Sequence, residues 1–309
     1  MLRWGRSAYE TDAALAEEQG CATALGLGWE LRPMVNEAPD EPAHILVVTS
    51  KANVCGSVLD AVRPSMVLTT TSGYEHIDLE ACRARGIVAA RSPMARRDAV
   101  VEHSIEALVR LLRRLPEQER AAHRDHWSRA DLRGLAPRGL AGSTIVLVGL
   151  GVIGQRMAQL LDLMGARVIG VDPFVEHEHI EQLPLHEAIP QADAVSLHAS
   201  SSPSSRGLFD AKLLRELPRN CVLINTARGD LLDPDAAAQL VRQGHLSGLA
   251  CDVFPQEPYP RLAQWAADNI LLTPHASGYT HDLGHRVADS VGRALSAWVA
   301  ERPVPWRLV

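Results

Sequence analysis

The segment "STIVLVGLGVIGQRMAQLLDLMGARVIGVD", Ser143 to Asp172, decides the fold class of this chain. Its first apolar run, residues 144–148, predicts a buried strand, and a second run, "RVIGV", predicts another. Between them lies a predicted helix with one apolar face, formed by Met157, Leu160, Leu161 and Met164. A strand, a helix and a strand in this order predict a parallel β-α-β unit.

A glycine-rich turn joins the first strand to the helix, with Gly149, Gly151 and Gly154 in G-x-G-x-x-G spacing. An acidic residue, Asp172, ends the second strand about twenty residues on, which completes the context of a dinucleotide-binding turn. Gly149 allows a tight turn, Gly151 allows the pyrophosphate to approach the backbone, and Gly154 allows close packing of helix on strand. The carboxylate of Asp172 would bind ribose hydroxyls and repel a 2′-phosphate, so the sequence predicts NAD rather than NADP.

The composition excludes several classes of protein. The chain has 309 residues and a formal net charge of −6, without a basic patch, so we expect no nucleic-acid partner. No apolar stretch is long enough to span a membrane, and no apolar signal segment follows the N-terminal arginines. The five cysteines are scattered without a C-x-x-C pair, which is typical of a reducing compartment and predicts a cytoplasmic protein.

Short apolar runs alternate with helical patterns along the chain, which predicts α/β architecture with largely parallel sheets. "HILVVTS", "MVLTTTS" and "IVAARSP" read as strands of a first group, "AALAEEQG" as a helix and "WELRPM" as a further strand. A longer helix is predicted to begin at an Asp98 N-cap, with a stripe of apolar residues from Val101 to Leu115. The Arg-rich stretch "EQERAAHRDHWSRADLRGLAPRG" is expected to wrap the surface.

Residues with useful chemistry follow later predicted strands, in "DAVSLH", "CVLINTARGD", "GLACDVFPQEP" and "NILLTPHASG". In an open parallel sheet the ligand cleft lies beyond the carboxyl ends of the strands, so these residues are expected to converge there. They are His198, Arg228, Asp252, Glu257 and His275. A guanidinium can clamp a carboxylate, and a histidine beside a carboxylate can exchange a proton with an alcohol or carbonyl oxygen. Beside a nicotinamide, that set describes oxidation of a 2-hydroxy acid or reduction of a 2-oxo acid.

These motifs resemble the D-isomer-specific 2-hydroxyacid dehydrogenase family over most of the chain. The matching segments, in order, are "TTTSGYEHIDLEACRARGI", "AVVEH", "LAGSTIVLVGLGVIG", "VDPF", "ADAVSLH", "LINTARGDLLD", "DVFPQEP" and "NILLTPHASG". The resemblance implies an NAD-dependent enzyme that interconverts a D-2-hydroxy acid and its 2-oxo acid by hydride transfer, a reductase of the glyoxylate or hydroxypyruvate type.

The resemblance also implies a role for individual residues. Arg228 binds the substrate carboxylate, His275 is the general acid/base, and Glu257 is its partner. Ser72 and Gly73 fall where backbone N–H groups of the family hold the substrate carboxylate. The implied cofactor contacts are Gly149, Gly151, Val152, Ile153, Gly154, Asp172, His198, Thr226, Ala227, Arg228, Asp252 and His275.

The implied architecture is a Rossmann-type doubly wound parallel sheet inserted into a flavodoxin-like α/β substrate domain. Residues 1–97 form the first part of the substrate domain, residues 98–281 the NAD-binding domain, and residues 282–309 a C-terminal helix that returns to the substrate domain. Family members are commonly homodimers joined through their NAD-binding domains. The Val101–Leu115 stripe is therefore a candidate interface, although ordinary core packing explains it equally well.

The sequence departs from the family pattern at two places. The family usually has N-x-P after "GIVAA", where this chain has Arg91, Ser92 and Pro93, and Arg96 and Arg97 follow closely. These arginines could receive a second acidic group of the substrate, but a solvated hinge surface explains them too. After His198 the family has a proline and a threonine, where this chain has Ser200 and Ser202, which weakens the cofactor contacts expected in that loop.

Other interpretations remain open. A dinucleotide-sensing corepressor-like binding protein would share the same triad, and a dehydrogenase of phosphorylated hydroxy acids would share the same fold. Related formate dehydrogenases have glutamine beside the histidine, so Glu257 argues against that branch. His177 and His179 lie among acids but have no third ligand at suitable spacing, and no metal site is predicted. Tyr74, Met94 and Trp265 could line a side-chain pocket or belong to the core or rim.

Overall fold

The computed structural model describes residues 1–33, 38–127, 129–130, 132–260, 262–265, 267 and 269–309. The chain divides into two compact units. The first unit comprises Met1–Arg97 and Tyr279–Val309, and the second unit comprises Asp98–Gly278. The second unit is therefore a continuous insertion into the first.

The second unit is built on a seven-stranded sheet in which every pairing is parallel. Its strands are β6 (Thr144–Val148), β7 (Arg167–Val171), β8 (Glu181–Gln182), β9 (Ala194–Leu197), β10 (Val222–Asn225), β11 (Gly248–Cys251) and β12 (Ile270–Leu272). The strand order is β12-β11-β10-β9-β6-β7-β8, so the direction of winding reverses between β6 and β9. This is the doubly wound order in which ligands bind at the reversal point.

The first unit is built on a five-stranded parallel sheet of order β2-β1-β3-β4-β5. Its strands are β1 (Leu2–Trp4), β2 (Glu30–Arg32), β3 (Ile45–Val48), β4 (Met66–Thr69) and β5 (Val88–Arg91). This is the flavodoxin-like order. The predicted fold class, a Rossmann-type sheet inserted into a flavodoxin-like α/β unit, is confirmed.

Helices cover both sheets. They are α1 (Asp12–Ala24), α2 (Gly56–Val62), α3 (Leu79–Ala84), α4 (Met94–Leu112), α5 (Leu115–His123), α6 (Leu132–Leu135), α7 (Val152–Leu163), α8 (Leu185–Ala188), α9 (Ala211–Glu216), α10 (Pro234–Arg242) and α11 (Leu283–Val299). Each unit contains two clusters of buried apolar side chains. The inner strands β3, β4, β6, β9, β10 and β11 are almost wholly buried, which explains why they form continuous apolar runs in the sequence. Within the described residues, no helix is long and apolar enough to cross a membrane.

Two predicted helix features differ from the structure. Helix α4 begins at Met94, directly after Pro93, rather than at an Asp98 N-cap, because proline is well suited to the entry of a helix. Leu115 belongs to the next helix, since Arg114 adopts a left-handed conformation that ends the first. Val101, Leu108 and Leu112 are buried in the core of the second unit, so core packing accounts for the stripe.

Strand β1 was not predicted, because a charged residue interrupts its apolar pattern. Arg3 is fully buried and forms ion pairs with Glu10 and with Glu18, the latter at 3.6 Å from Nε to Oε1. Trp29 donates its indole N–H to the same Glu18 oxygen over 3.0 Å. Burial raises the pKa of Glu18, against the opposing effect of Arg3. A buried arginine is tolerated on this strand because its carboxylate partners are buried with it.

We predict that Arg3→Met lowers the free energy of unfolding by about 3 kcal/mol or more, because Glu10 and Glu18 lose their buried cation. Urea denaturation followed by circular dichroism measures the change. Arg32→Met is the matched control, since Arg32 pairs with the exposed Glu30 and a second surface carboxylate. That substitution is expected to cost about 1 kcal/mol or less. Equal losses in the two variants would contradict the prediction.

Candidate active site

The glycine loop of the second unit follows strand β6, at the reversal point of the sheet. Gly149 has a φ of 101°, and a Cβ there would lie 2.5 Å from the backbone nitrogen of Ala199. A Cβ on Gly154 would lie 2.0 Å from the carbonyl oxygen of Gly149. Contacts within the protein therefore require glycine at both positions.

Gly151 differs from its two neighbours in the motif. Its φ is −68°, and no heavy atom of the described residues lies within 4 Å of a Cβ placed there. It is the N-cap of α7, whose first intrahelical hydrogen bond runs from Gln155 N to Gly151 O over 2.9 Å. The N–H groups of the first turn of α7, including those of Val152 and Ile153, have no partner within the helix and lie at the positive end of its dipole. Open space beside these donors fits a pyrophosphate group.

The carboxylate of Asp172 joins the glycine loop to the segment after β7. It accepts hydrogen bonds from Leu150 N at 2.8 Å, from Phe174 N at 2.9 Å and from Val175 N at 3.2 Å. A carboxylate has about four acceptor positions, so about one remains for a ribose hydroxyl. The sequence predicted the ribose contact but not this structural role.

His198 follows strand β9 at the same reversal point. Its backbone N–H donates to Val148 O over 2.7 Å, and its Nε2 lies 2.9 Å from Ser196 Oγ. Burial lowers the pKa of His198 to about 4, so the imidazole is neutral at physiological pH. A neutral ring at this position adds no charge to the predicted nucleotide site.

The serine-rich loop after His198 is fastened to the loop after β10. Ser205 Oγ donates to Ser200 O over 2.8 Å and accepts from Ser202 N over 2.8 Å. Ser201 donates to Asp230 over 2.5 Å, and Arg206 pairs with the same carboxylate at 3.2 Å. These bonds fix the loop at several points although it lacks the proline.

Strand β10 delivers Arg228 to the carboxyl edge of the sheet. The Asn225 side chain accepts from Ala227 N at 3.1 Å and donates to Arg228 O at 2.9 Å, so it fixes the turn. Thr226 Oγ1 lies 3.0 Å from Ser104 Oγ on α4. Asn225 therefore fixes the main chain that carries the arginine, and Arg228 Nη1 itself donates to Ala227 O over 2.7 Å.

Gly229 brings the arginine loop against the loop after β11. A Cβ on Gly229 would lie 1.9 Å from the carbonyl carbon of Phe254 and 2.5 Å from the nitrogen of Pro255. Phe254 N in turn donates to Glu257 Oε1 over 3.0 Å. The loops that carry Arg228 and Glu257 are thus in direct contact, and only glycine permits it.

His275 and Glu257 form a side-chain pair at the edge of the same sheet, with Nδ1 and Oε2 2.8 Å apart. The side chains are 57% and 38% exposed. An ionised carboxylate only accepts hydrogen bonds, so Nδ1 carries a proton and Nε2 is the atom that can gain or lose one. The structure therefore brings together Arg228, Glu257 and His275 in the second unit.

The backbone of His275 is held by Asp252. His275 has a φ of 56°, a left-handed conformation that is uncommon outside glycine. Its N–H donates to Asp252 O over 2.7 Å, and the Asp252 carboxylate accepts from Ala276 N at 2.7 Å, Ser277 N at 3.0 Å and Thr273 Oγ1 at 2.6 Å. Asp252 was predicted as a cofactor contact, whereas most of its acceptor capacity serves the His275 loop. Thr273 was missed, although its place between a strand end and His275 was a usable signal.

Ser72 and Gly73 lie in the first unit, on the loop that follows β4, and both are partly exposed. Trp265 belongs to the core of the second unit rather than to a pocket, because it is 1% exposed and its indole N–H donates to Asp235 over 3.1 Å. Among the described residues, no group of three His, Cys, Asp or Glu side chains could hold a metal ion.

A cavity of about 280 Å³ lies behind the strand ends of the second unit, between α4 and strands β11 and β12. His103, Thr226, Asp252 and Thr273 are among its lining residues. The described residues that line it include Thr226 and Asp252, two of the predicted cofactor contacts, but neither the glycine loop nor His275, so the cavity overlaps the predicted nucleotide site only in part.

The second unit is thus a dinucleotide-binding fold with a histidine–carboxylate pair and an arginine at its ligand edge, the arrangement of an oxidoreductase. Residues 105–277 match the model of a family described as "D-isomer specific 2-hydroxyacid dehydrogenase, NAD binding domain". The chain belongs to the D-isomer-specific 2-hydroxyacid dehydrogenase family. The predicted cofactor, NAD, is confirmed by this match to the family's NAD-binding domain.

Relatives of known name support the same family. The chain is 30% identical to glyoxylate reductase of Thermofilum pendens over 271 residues, which cover 84% of this chain and 78% of that protein. It is 28% identical to D-3-phosphoglycerate dehydrogenase of Mycobacterium tuberculosis over 305 residues, which cover 94% of this chain. The chain spans 57% of the length of that dehydrogenase.

The crystal structure of the TT0316 protein from Thermus thermophilus superposes on the whole fold. The TM-score is 0.81 at 29% sequence identity, and the superposition covers 100% of this chain and 99% of that one. The two-sheet architecture is therefore shared over the full length.

We predict that Gly151→Ala leaves the stability of the protein unchanged but weakens NADH binding about tenfold or more. The protein has room for the methyl group, whereas the predicted pyrophosphate would meet it. Isothermal titration with NADH measures the dissociation constant. Gly20→Ala on α1, where a Cβ also meets nothing within 4 Å, is the control and should bind NADH normally. An unchanged NADH affinity in Gly151→Ala would show that the nucleotide binds elsewhere.

Proposed function

We propose that this protein is an NAD-dependent oxidoreductase that interconverts a D-2-hydroxy acid and its 2-oxo acid. The observation that carries the proposal is the 2.8 Å pair of His275 and Glu257. It lies in the same unit as the glycine loop, and its loop contacts the loop of Arg228 through Gly229. The family to which the chain belongs supports the same class of reaction.

The nicotinamide, when bound, supplies or accepts the hydride at the substrate carbon. His275 moves the proton: in reduction, protonated Nε2 gives its proton to the carbonyl oxygen, and in oxidation, neutral Nε2 takes it from the hydroxyl. Glu257 accepts a hydrogen bond from the Nδ1 proton, which fixes the orientation of the ring and leaves Nε2 to exchange the proton with the substrate. The left-handed backbone conformation at His275 sets the direction in which its side chain leaves the main chain.

Three further roles complete the proposal. Arg228 binds the substrate carboxylate and polarises the carbonyl, since a guanidinium offers several donors in one plane. The N–H groups of Ser72 and Gly73 bind the substrate carboxylate as well. Thr226 and Ala227 offer backbone to the nicotinamide, and Val152 and Ile153 offer N–H groups to the pyrophosphate.

The substrate is proposed to be a small 2-oxo acid of the glyoxylate or hydroxypyruvate type, and the similarity to a glyoxylate reductase supports it. A phosphorylated hydroxy acid is the second candidate, favoured by the similarity to D-3-phosphoglycerate dehydrogenases. NADH oxidation with a panel of 2-oxo acids, phosphorylated and not, decides between them. The absence of turnover with every member would favour a dinucleotide-sensing binding protein.

We further propose a cytoplasmic homodimer joined through the second units. Trp127, 86% exposed in the second unit, supports an interface there, because an exposed aromatic of this size is typical of protein contacts. The described cysteines are all free, as in a reducing compartment. Multi-angle light scattering decides the oligomeric state, and cell fractionation decides the location.

We predict that His275→Ala lowers kcat by about a hundredfold or more, because the proton donor is lost. NADH binding should be retained, which fluorescence titration measures. His285→Ala is the matched control, since His285 also pairs with a glutamate, Glu17, at 2.9 Å but on the surface of the first unit. If His275→Ala turned over substrate at the rate of the unmodified enzyme, the assignment would be wrong.

For Asp172→Ala we expect a smaller preference for NADH over NADPH, because the carboxylate that repels a 2′-phosphate is gone. NADH affinity should also fall, since the backbone N–H of Leu150 loses its acceptor. The ratio of kcat/KM for the two nucleotides is the measurement, and Asp162→Ala at the exposed end of α7 is the control. A ratio equal to that of the unmodified enzyme would count against the ribose role.

A further inference from the structure

The loop after strand β4 has an unusual pattern of hydrogen bonds, because four consecutive carbonyl groups each accept one. Arg96 Nη1 donates to Thr70 O over 2.6 Å, and Arg91 Nη1 donates to Ser72 O over 3.0 Å. The carbonyl between these two, Thr71 O, accepts from Ser92 N over 3.1 Å. The next one, Gly73 O, accepts from Thr71 Oγ1 over 2.8 Å. All of these groups belong to the first unit.

The N–H groups of the same loop are only partly used. Thr70 N donates to Val48 O over 3.0 Å and Thr71 N to Thr69 Oγ1 over 3.4 Å. The N–H groups of Ser72 and Gly73 have no acceptor among the residues that the structure describes. The loop thus has its acceptors satisfied and two adjacent donors available, which is the arrangement of an anion site.

Peptide geometry links each donor to one of these bonds. The carbonyl of Ser72 and the N–H of Gly73 belong to one planar trans peptide, so they point in opposite directions. A guanidinium on that carbonyl therefore fixes the Gly73 N–H so that it faces away from Arg91. It also polarises the peptide, which strengthens the N–H as a donor. Ser92 N acts in the same way on the peptide that carries the Ser72 N–H.

The two arginines are themselves held by aromatic rings. Arg91 lies over the ring of Tyr74, 5.4 Å from its centroid, and Arg96 lies over the ring of Tyr9 at 4.6 Å. Arg96 also donates to the hydroxyl of Tyr9, whose ring meets Tyr279 edge to face at 5.2 Å. Burial lowers the pKa of Arg96 to about 10, so its guanidinium stays charged at physiological pH.

We propose that Arg91 and Arg96 are positioning residues that hold the Ser72–Gly73 loop in the form that binds the substrate carboxylate. The inference rests on the proposed function, in which that loop binds the carboxylate. It assigns to these arginines a part in recognising the group common to all 2-oxo acids. For Arg91 and Arg96 it is an alternative to both interpretations based on the sequence, a receptor for a second acidic group and a solvated hinge surface.

The two roles for Arg91 predict different patterns of loss. A positioning residue affects every 2-oxo acid alike, because each presents the same carboxylate. A receptor for a second acidic group affects only substrates that carry one. Arg91→Met tests the difference, since methionine keeps an unbranched apolar side chain and removes the donor to Ser72 O.

In steady-state assays with NADH, Arg91→Met should raise KM about tenfold for glyoxylate, hydroxypyruvate, 2-oxoglutarate and phosphohydroxypyruvate alike, wherever the unmodified enzyme turns them over. Tenfold corresponds to the loss of about one hydrogen bond to a charged group. The kcat and the NADH dissociation constant should change less than about twofold, because His275 and the glycine loop are untouched. A loss confined to the two substrates with a second acidic group, or an unchanged KM, would overturn the proposal.

Oxamate binding to the NADH-loaded protein separates this proposal from the proposed function. Isothermal titration should show a roughly tenfold weaker affinity for oxamate in Arg91→Met than in the unmodified protein, whether or not any 2-oxo acid is turned over. Oxamate binding without turnover would refute the proposed reaction and leave the role of Arg91 standing. If the unmodified protein bound no oxamate and reduced no 2-oxo acid, both would be refuted.

Two further variants control for a general effect of removing an arginine and for misfolding of Arg91→Met. Arg85→Met removes an exposed arginine of the same unit, which pairs with Asp60 at 2.8 Å, and should leave KM and oxamate affinity unchanged. Arg91→Lys keeps the charge and a single donor and should recover part of the lost affinity. If Arg91→Met did not fold, Arg91→Lys would decide the question, since a positioning role requires it to weaken all substrates by the same factor.

Discussion

Main-chain N–H groups at the carboxyl ends of parallel strands need acceptors, and that requirement shapes the ligand edge of the second unit. Three side chains satisfy it, each placed at or just after a strand end: Asp172 after β7, Asn225 at the end of β10 and Asp252 after β11. Each holds a loop that carries a residue of the proposed site. The left-handed backbone at His275 persists because Asp252 accepts from the residues around it.

In the first unit the side chains bind main-chain carbonyl groups instead of main-chain N–H groups. There the loop after β4 has its carbonyl groups bound by donors, two of them arginines, and its N–H groups are left for a ligand. In the proposed function, one unit presents the proton-transfer residue, His275, held by carboxylates, and the other presents backbone donors held in part by arginines. In both, the ligand-binding group is precise because a second layer of charged side chains fixes the main chain.

Sequence alone was enough for the fold class and for the glycine loop, because apolar runs, three glycines and Asp172 at fixed spacing leave few alternatives. It also brought Arg228, Glu257 and His275 to one edge, since strand ends in a parallel sheet share an edge. Sequence analysis failed where the burial or the role of a charged residue depends on partners that only the fold brings to it. Strand β1 was missed because Arg3 is buried only together with Glu10 and Glu18, and no pattern indicated that Asp230 fastens the serine-rich loop. The roles of Arg91 and Arg96 depend on carbonyl directions that no residue pattern encodes.

The close approach at Gly229 has a consequence for how this edge can change. With no side chain between them, the arginine loop and the Phe254–Pro255 backbone behave as one rigid piece, and Phe254 carries the hydrogen bond to Glu257. A shift that accommodates a new residue in either loop therefore moves Arg228 and Glu257 together. New specificity is therefore easier to reach through side chains of the first unit than through the loops of this edge.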